Sequence, residues 1–222
     1  MSRIALFGGS FNPIHNGHLH LAQTVHQQCG LDRMLLMPSG TAPHKSSDAY
    51  APAADRLAMC RLAAEPYPWL EVSDYELTKP GKSYTVETLR YLHSCFPEDA
   101  LFLLTGSDML LSFDSWHRWQ EILRLARLVV TSRNVGDAPE LHAKAKQMDP
   151  TGARILFAQV EALPMASSNL RARLAAGEAC ENELPALVRR VIRREGLYRA
   201  DRGESGNHES ETGKGACARP VE

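Results

Sequence analysis

The stretch Ile4-Ala5-Leu6-Phe7-Gly8-Gly9-Ser10-Phe11-Asn12-Pro13-Ile14-His15-Asn16-Gly17-His18 decides the fold. Four apolar residues in a row, closed by glycine, read as a short strand buried on both faces. Gly8 and Gly9 then form a tight turn in which the backbone can come close to a bulky ligand, and a helix opens near Gly17 and His18. A strand running through a glycine turn into a helix start presents oriented amides, and these favour an anion. His15 and His18 add two imidazoles, each able to donate a hydrogen bond to a phosphate oxygen. Phosphate is the guest this segment predicts.

Outward from it, the apolar runs Met34-Leu35-Leu36-Met37, Leu101-Phe102-Leu103-Leu104, Leu128-Val129-Val130-Thr131 and Ile155-Leu156-Phe157 read as further buried strands. Between the first two strands, Leu19, Ala22, Val25 and Cys29 recur at helical spacing, and similar patterns fall at roughly 53–64, 85–95, 116–125 and 139–148. Residues from about 168 to 200 read as two helices, with Gly196 as a stop. The alternation predicts an α/β protein: a Rossmann-like, doubly wound parallel sheet with helices on both faces and a small C-terminal helical part. Such sheets bind ligands beyond the carboxyl ends of their strands. One domain is predicted over 1–200. The polar segment 201–222 holds almost no large apolar residues and is predicted to be a disordered tail. The loop from Pro38 to Pro52 is long enough to predict a functional lid.

Composition narrows the function classes. The 222 residues are 44% hydrophobic and carry 25 Lys and Arg against 26 Asp and Glu, so no global field draws nucleic acid or an anionic membrane. Arg189, Arg190, Arg193 and Arg194 form a basic stripe at helical spacing, but no aromatic residue interleaves to stack bases, and the stripe reads as a solvated helix face. The five cysteines are scattered and never spaced as C-x-x-C, which predicts a reducing, cytoplasmic setting with no disulfide framework or zinc knuckle. The four apolar residues before Gly8 are too few for a signal-peptide core, and no run approaches a membrane span. His15, His18 and His20 lie close in sequence, yet His18 and His20 point to different sides of a helix, so no metal held by protein side chains is predicted.

The segment His15-Asn16-Gly17-His18 after the first strand resembles the nucleotidyltransferase superfamily marked by His-x-x-His at this place. Within it the chain is similar, over residues 3 to about 198, to the bacterial nicotinate mononucleotide adenylyltransferases. The blocks that agree in order are Pro43-His44-Lys45, Ser83-Tyr84-Thr85-Val86-Glu87-Thr88-Leu89, Gly106-Ser107-Asp108, Trp116 and Ser167-Ser168-Asn169-Leu170-Arg171. Asn169 stands where Thr is usual and keeps hydrogen-bonding capacity; Asn12 stands where Asp is frequent, which removes one potential charge near the phosphates without removing a polar group.

The resemblance implies in-line attack of the mononucleotide phosphate on the α-phosphorus of ATP, with Mg²⁺ on the polyphosphate, release of pyrophosphate and no covalent intermediate. Positioning and charge stabilisation then supply the acceleration. It implies catalytic roles for His15, His18, Lys45 and Arg171. It implies an ATP site from Gly8, Gly9, Ser10, Phe11, His15, His18, Gly106, Asp108, Ser167, Ser168 and Arg171, with a hydroxyl cap at Ser167-Ser168. For nicotinate mononucleotide it implies Lys45, Thr85, Asp108, Trp116 as the ring's stacking face, and Arg133. The partners implied are ATP and nicotinate mononucleotide, without nucleic acid or membrane, and a homo-oligomer is left open. Preference for the acid over nicotinamide mononucleotide rests on the resemblance; phosphopantetheine, or a nucleotide-binding regulator without turnover, are the alternative readings.

Overall fold

The computed structural model describes residues 1–40, 50–79, 81–131, 138–161 and 163–199. Its centre is β1 (Arg3–Gly9), whose Ile4, Ala5, Leu6 and Phe7 are buried on both faces. α1 (Asn16–Gln28) carries the chain to β2 (Arg33–Pro38), α2 (Ala53–Ala64) to the three-residue β3 (Leu70–Val72), and α3 (Tyr75–Thr78) and α4 (Thr85–Cys95) to β4 (Ala100–Gly106). α5 (Ser107–Leu111), a 3₁₀ turn at Phe113–Ser115 and α6 (Trp119–Leu125) precede β5 (Ala126–Thr131). α7 (Ala138–Met148), β6 (Ile155–Ala158), α8 (Ser167–Ala175) and α9 (Ala186–Arg194) complete it.

The six strands are all parallel, in the order β3-β2-β1-β4-β5-β6. Crossovers run one way from β1 to β2 and β3 and the other way from β4 to β5 and β6. Neighbouring loops at the carboxyl ends of β1 and β4 therefore diverge and leave a crevice at this switch point. Ala5 and Phe7 face a core layer built with Leu19, Ala22 and Val25 of α1, Met59 and Cys60 of α2, Leu170 of α8 and Val188 of α9. Ile4 and Leu6 face the opposite layer, filled by Val86 and Leu89 of α4, Leu110 of α5, Ile122 of α6 and Leu141 of α7. Burial of the Cys60 thiol pushes it up to about 12, so this cysteine acts as a packing residue.

Three elements were not legible in the pattern: β3, α3 and α5 have three, four and five residues, too few to show a period. The helix predicted over 116–125 begins at Trp119 instead, because Trp116 is extended and Arg118 is left-handed (φ 55°), which interrupts helical hydrogen bonding. Among the described residues no helix is long and apolar enough to cross a membrane. The predicted tail 201–222 lies outside them.

Candidate active site

The loop between β1 and α1 is fastened at almost every residue. The backbone oxygen of Ser10 accepts from Nη1 of Arg56 at 2.7 Å, and that of Asn12 accepts from Nη1 of Arg171 at 2.9 Å. The carbonyl of Pro13 accepts from Oγ of Ser167 at 3.0 Å, and the amide of Asn16 donates to the carbonyl of Glu183 at 2.8 Å. Asn12 is wholly buried, and its Oδ1 accepts both from the amide of Ala51 at 3.0 Å and from the Tyr198 hydroxyl at 2.7 Å. The residue expected to lie among the phosphates thus ties the loop to the start of α2 and to the chain beyond α9. Ser167, expected as a helix cap, is the first residue of α8 behind Ala166. Its hydroxyl goes to Pro13, leaving the first amides of α8 without a side-chain cap.

This fastening sets the two histidines. His15 is buried at the N-cap of α1, and its amide donates to Nδ1 of His18 at 3.2 Å. With Nδ1 an acceptor, the neutral His18 ring carries its proton on Nε2, which becomes a donor. The rings of His15 and His18 stack at 3.7 Å, and Phe11 meets His18 edge-on at 5.1 Å. Phe11 is only 1% exposed, so the residue packs the loop from within. The two glycines differ in the same way. A Cβ on Gly9 would lie 3.0 Å from the Phe11 ring, so its small size serves protein packing, whereas a Cβ on Gly8 would enter open space at the crevice.

One side of the crevice is a cleft of about 390 Å³, counted to its open mouth, lined among others by His15, His18, His20, Thr131, Glu161 and Met165. His20 bonds through Nε2 to the carbonyl of Glu161 at 3.1 Å, so it braces the cleft wall. Among the described residues no group of three or more His, Cys, Asp or Glu is placed to hold a metal.

On the other side lie the ends of α4 and the turn before α6. Thr85 is the first residue of α4, half-buried, with the free amides of the helix start around it. Tyr84 packs on His117 with ring centroids 4.7 Å apart, bringing this helix start beside Trp116, which is half-buried against Phe113. Asp108 is exposed on α5, whose N-cap is Gly106, and its Oδ1 lies 2.6 Å from where a Cβ on Gly106 would stand. Glycine is needed there for the carboxylate to fold back over the end of β4. Trp119 is half-buried against the same layer as Trp116.

Lys45 and Arg133 lie outside the described residues. Both flanks of the segment holding Lys45 are tied to the β1–α1 connection, since the amide of Ser39 donates to the carbonyl of Gly9 at 2.8 Å and that of Ala51 to Asn12. Ser168 and Arg171 sit on the first turns of α8, and Arg171 reaches the loop directly. Arg56, Tyr198 and Thr131 escaped the sequence reading. Arg56 looked like one polar residue of an ordinary helix, and Tyr198 stands 186 residues from its partner.

The cytidylyltransferase-like family model matches residues 6–173. A relative from Acidithiobacillus ferrooxidans, named "Probable nicotinate-nucleotide adenylyltransferase", is 38% identical over 89% of this chain and 96% of its own length. Relatives of the same name from Roseiflexus sp. and Neisseria meningitidis serogroup B are 40% and 38% identical over 88% and 89% of this chain, and over 98% and 99% of their own lengths. The fold is shared with a Plasmodium falciparum nicotinic acid mononucleotide adenylyltransferase complexed with NaAD. That structure gives a TM-score of 0.72 at 15% identity, covering 89% of this chain and 98% of that one.

Proposed function

The chain belongs to the cytidylyltransferase-like family and, within it, to the nicotinate-nucleotide adenylyltransferases, and on that premise we propose that it transfers AMP from ATP to nicotinate mononucleotide, giving nicotinate adenine dinucleotide and pyrophosphate. A 5′-phosphate oxygen of the mononucleotide forms a bond to the α-phosphorus of ATP. The bond from that phosphorus to the bridging oxygen breaks in line, and the electron pair leaves with pyrophosphate. The protein supplies no covalent partner in this reading; it orients two phosphates and offsets the charge between them.

The observation that carries the reading is the fixed His18 ring at the start of α1, beside the switch-point crevice. We assign its Nε2–H to the polyphosphate, with His15 holding the ring by stacking. Arg171 and the uncapped start of α8, with Ser167 and Ser168, complete the anion site, and Lys45 would reach it from a loop rooted on the same segment. Adenosine would approach beside this anion site, along Thr131 and Glu161. On the opposite side Trp116 offers a ring face, Thr85 and the α4 amides an anion site for the nicotinate carboxylate, and Asp108 an acceptor for a ribose hydroxyl. Mg²⁺ enters as part of the Mg·ATP substrate, held by phosphate oxygens.

Pyrophosphate release measured with ATP, Mg²⁺ and each mononucleotide tests this. Turnover per concentration is expected to be highest with the acid. Higher turnover with the amide overturns the specificity, and no pyrophosphate from either overturns the reaction.

A further inference from the structure

Arg56 is 3% exposed, yet it forms no ion pair with a carboxylate among the described residues. Its Nη1 donates to the carbonyl of Ser10 at 2.7 Å and its Nε to that of Ala51 at 3.3 Å, while the Tyr50 ring lies 5.7 Å from its guanidinium carbon. Burial pushes the group down from its ordinary value, as it does for a cation removed from water, but an arginine remains charged. Arg171, bonded two residues further along the loop, likewise binds a backbone carbonyl and no carboxylate among the described residues. Between them the buried side chain at position 12 is a neutral carboxamide, its oxygen occupied by Ala51 and Tyr198.

A buried cation with only backbone dipoles for partners is costly to keep. The cost falls when an anion comes near, and in a medium poorer than water that attraction is felt over several ångströms. The carbonyl of Ser10 turns toward Arg56, which fixes the peptide units of the loop and leaves the guanidinium directly behind them.

Resting on the reading above that polyphosphate binds at this loop, we propose that Arg56 is a positioning residue for adenylyl transfer, holding the Ser10 carbonyl while its buried charge, without a carboxylate partner among the described residues, draws the triphosphate of ATP and the departing pyrophosphate. It touches neither substrate. Its positive charge adds to that of Arg171, which holds the same loop two residues further on.

The test uses the full-length protein with two probes measured by calorimetry: inorganic tripolyphosphate, which carries the charge, and adenosine, which does not. Arg56→Gln should raise the tripolyphosphate Kd at least fivefold while leaving the adenosine Kd within twofold, and Arg56→Lys should bring the tripolyphosphate Kd back to within threefold of the parent. Parallel weakening of both probes in Arg56→Gln would mean the residue only keeps the loop folded, and unchanged tripolyphosphate binding would mean its charge is not felt; either overturns the proposal. If the glutamine variant does not fold, Arg56→Lys decides by itself, since equal loss of both probes overturns the idea and retained tripolyphosphate binding supports it. Failure of the parent to turn over nicotinate mononucleotide would count against the proposed reaction while leaving the two binding results readable.

Discussion

The two sides of the crevice are built differently. The phosphate loop is braced from α2, α8, the segment before α9 and Tyr198, and its residues 11–15 are buried. The mononucleotide side, around Tyr84, Asp108 and Trp116, stands on helix ends, with Asp108 and Tyr84 exposed. Above the buried layer of Val86, Leu89, Leu110 and Phe113 it is joined by the Tyr84–His117 and Phe113–Trp116 ring contacts and by ion pairs such as Arg90–Glu121. The difference follows from the chemistry proposed. Charge develops at the α-phosphate, and donors there help most when fixed in advance, whereas a flat ring needs a face and room to enter.

The largest effect expected from breaking that contrast comes from the braced side. Removing one well-placed donor to a transition-state charge typically costs about 2.7 to 4 kcal/mol. His18→Ala should therefore lower kcat by roughly a hundredfold to a thousandfold with much smaller changes in KM. Steady-state kinetics with near-normal kcat would remove His18 from the role.

A smaller effect is expected on the open side. Ring stacking contributes about 0.5 to 1.5 kcal/mol beyond buried area, so Trp116→Ala should raise KM for nicotinate mononucleotide by about threefold to tenfold. KM for ATP should stay near its original value. If ATP rather than the mononucleotide suffers, the two halves of the crevice have been assigned the wrong way round.

The smallest effect concerns what supports α4. Glu76 accepts from the Thr88 hydroxyl at 2.7 Å, and burial raises its carboxyl above the ordinary value of 4.5. A carboxyl raised in the folded state destabilises that state at every pH above its folded pKa, and the penalty disappears below its unfolded value. Glu76→Gln keeps the acceptor and removes the charge. Its Tm should exceed that of the parent at pH 7, and the gap should close as the pH is brought below about 4.5. A gap that widens in acid would show that the ionised carboxylate is the stabilising form.

Legibility followed the range of the contacts. β1, α1, α2 and α4 were readable because each shows its own period over enough residues, and α2 and α4 match the predicted 53–64 and 85–95. Both histidines were readable because strand, loop and helix start are consecutive, whereas Gly8 and Gly9, expected in a tight turn, are the last residues of β1, paired with Met37 and Pro38 of β2. Asn12 was not: it was read as a polar neighbour of the phosphates, and the fold makes it a buried tie to Ala51 and Tyr198. The Ser167 cap failed similarly, since a serine at a helix start caps it only when no better acceptor is near, and the fold brings the Pro13 carbonyl to it.

By itself the sequence determined the parallel α/β architecture, the phosphate loop and the kind of donors it carries, because these follow from local periodicity and from backbone freedom at adjacent residues. Only the tertiary structure decided which of those donors are free to face a ligand and which are spent as ties. Hydrogen bonds across 154, 159 and 186 residues, from Ser167, Arg171 and Tyr198 into the loop, leave no trace in any window of the chain. They form because packing α8 and α9 beside α1 and α2 buries loop carbonyls and a carboxamide that must then find donors.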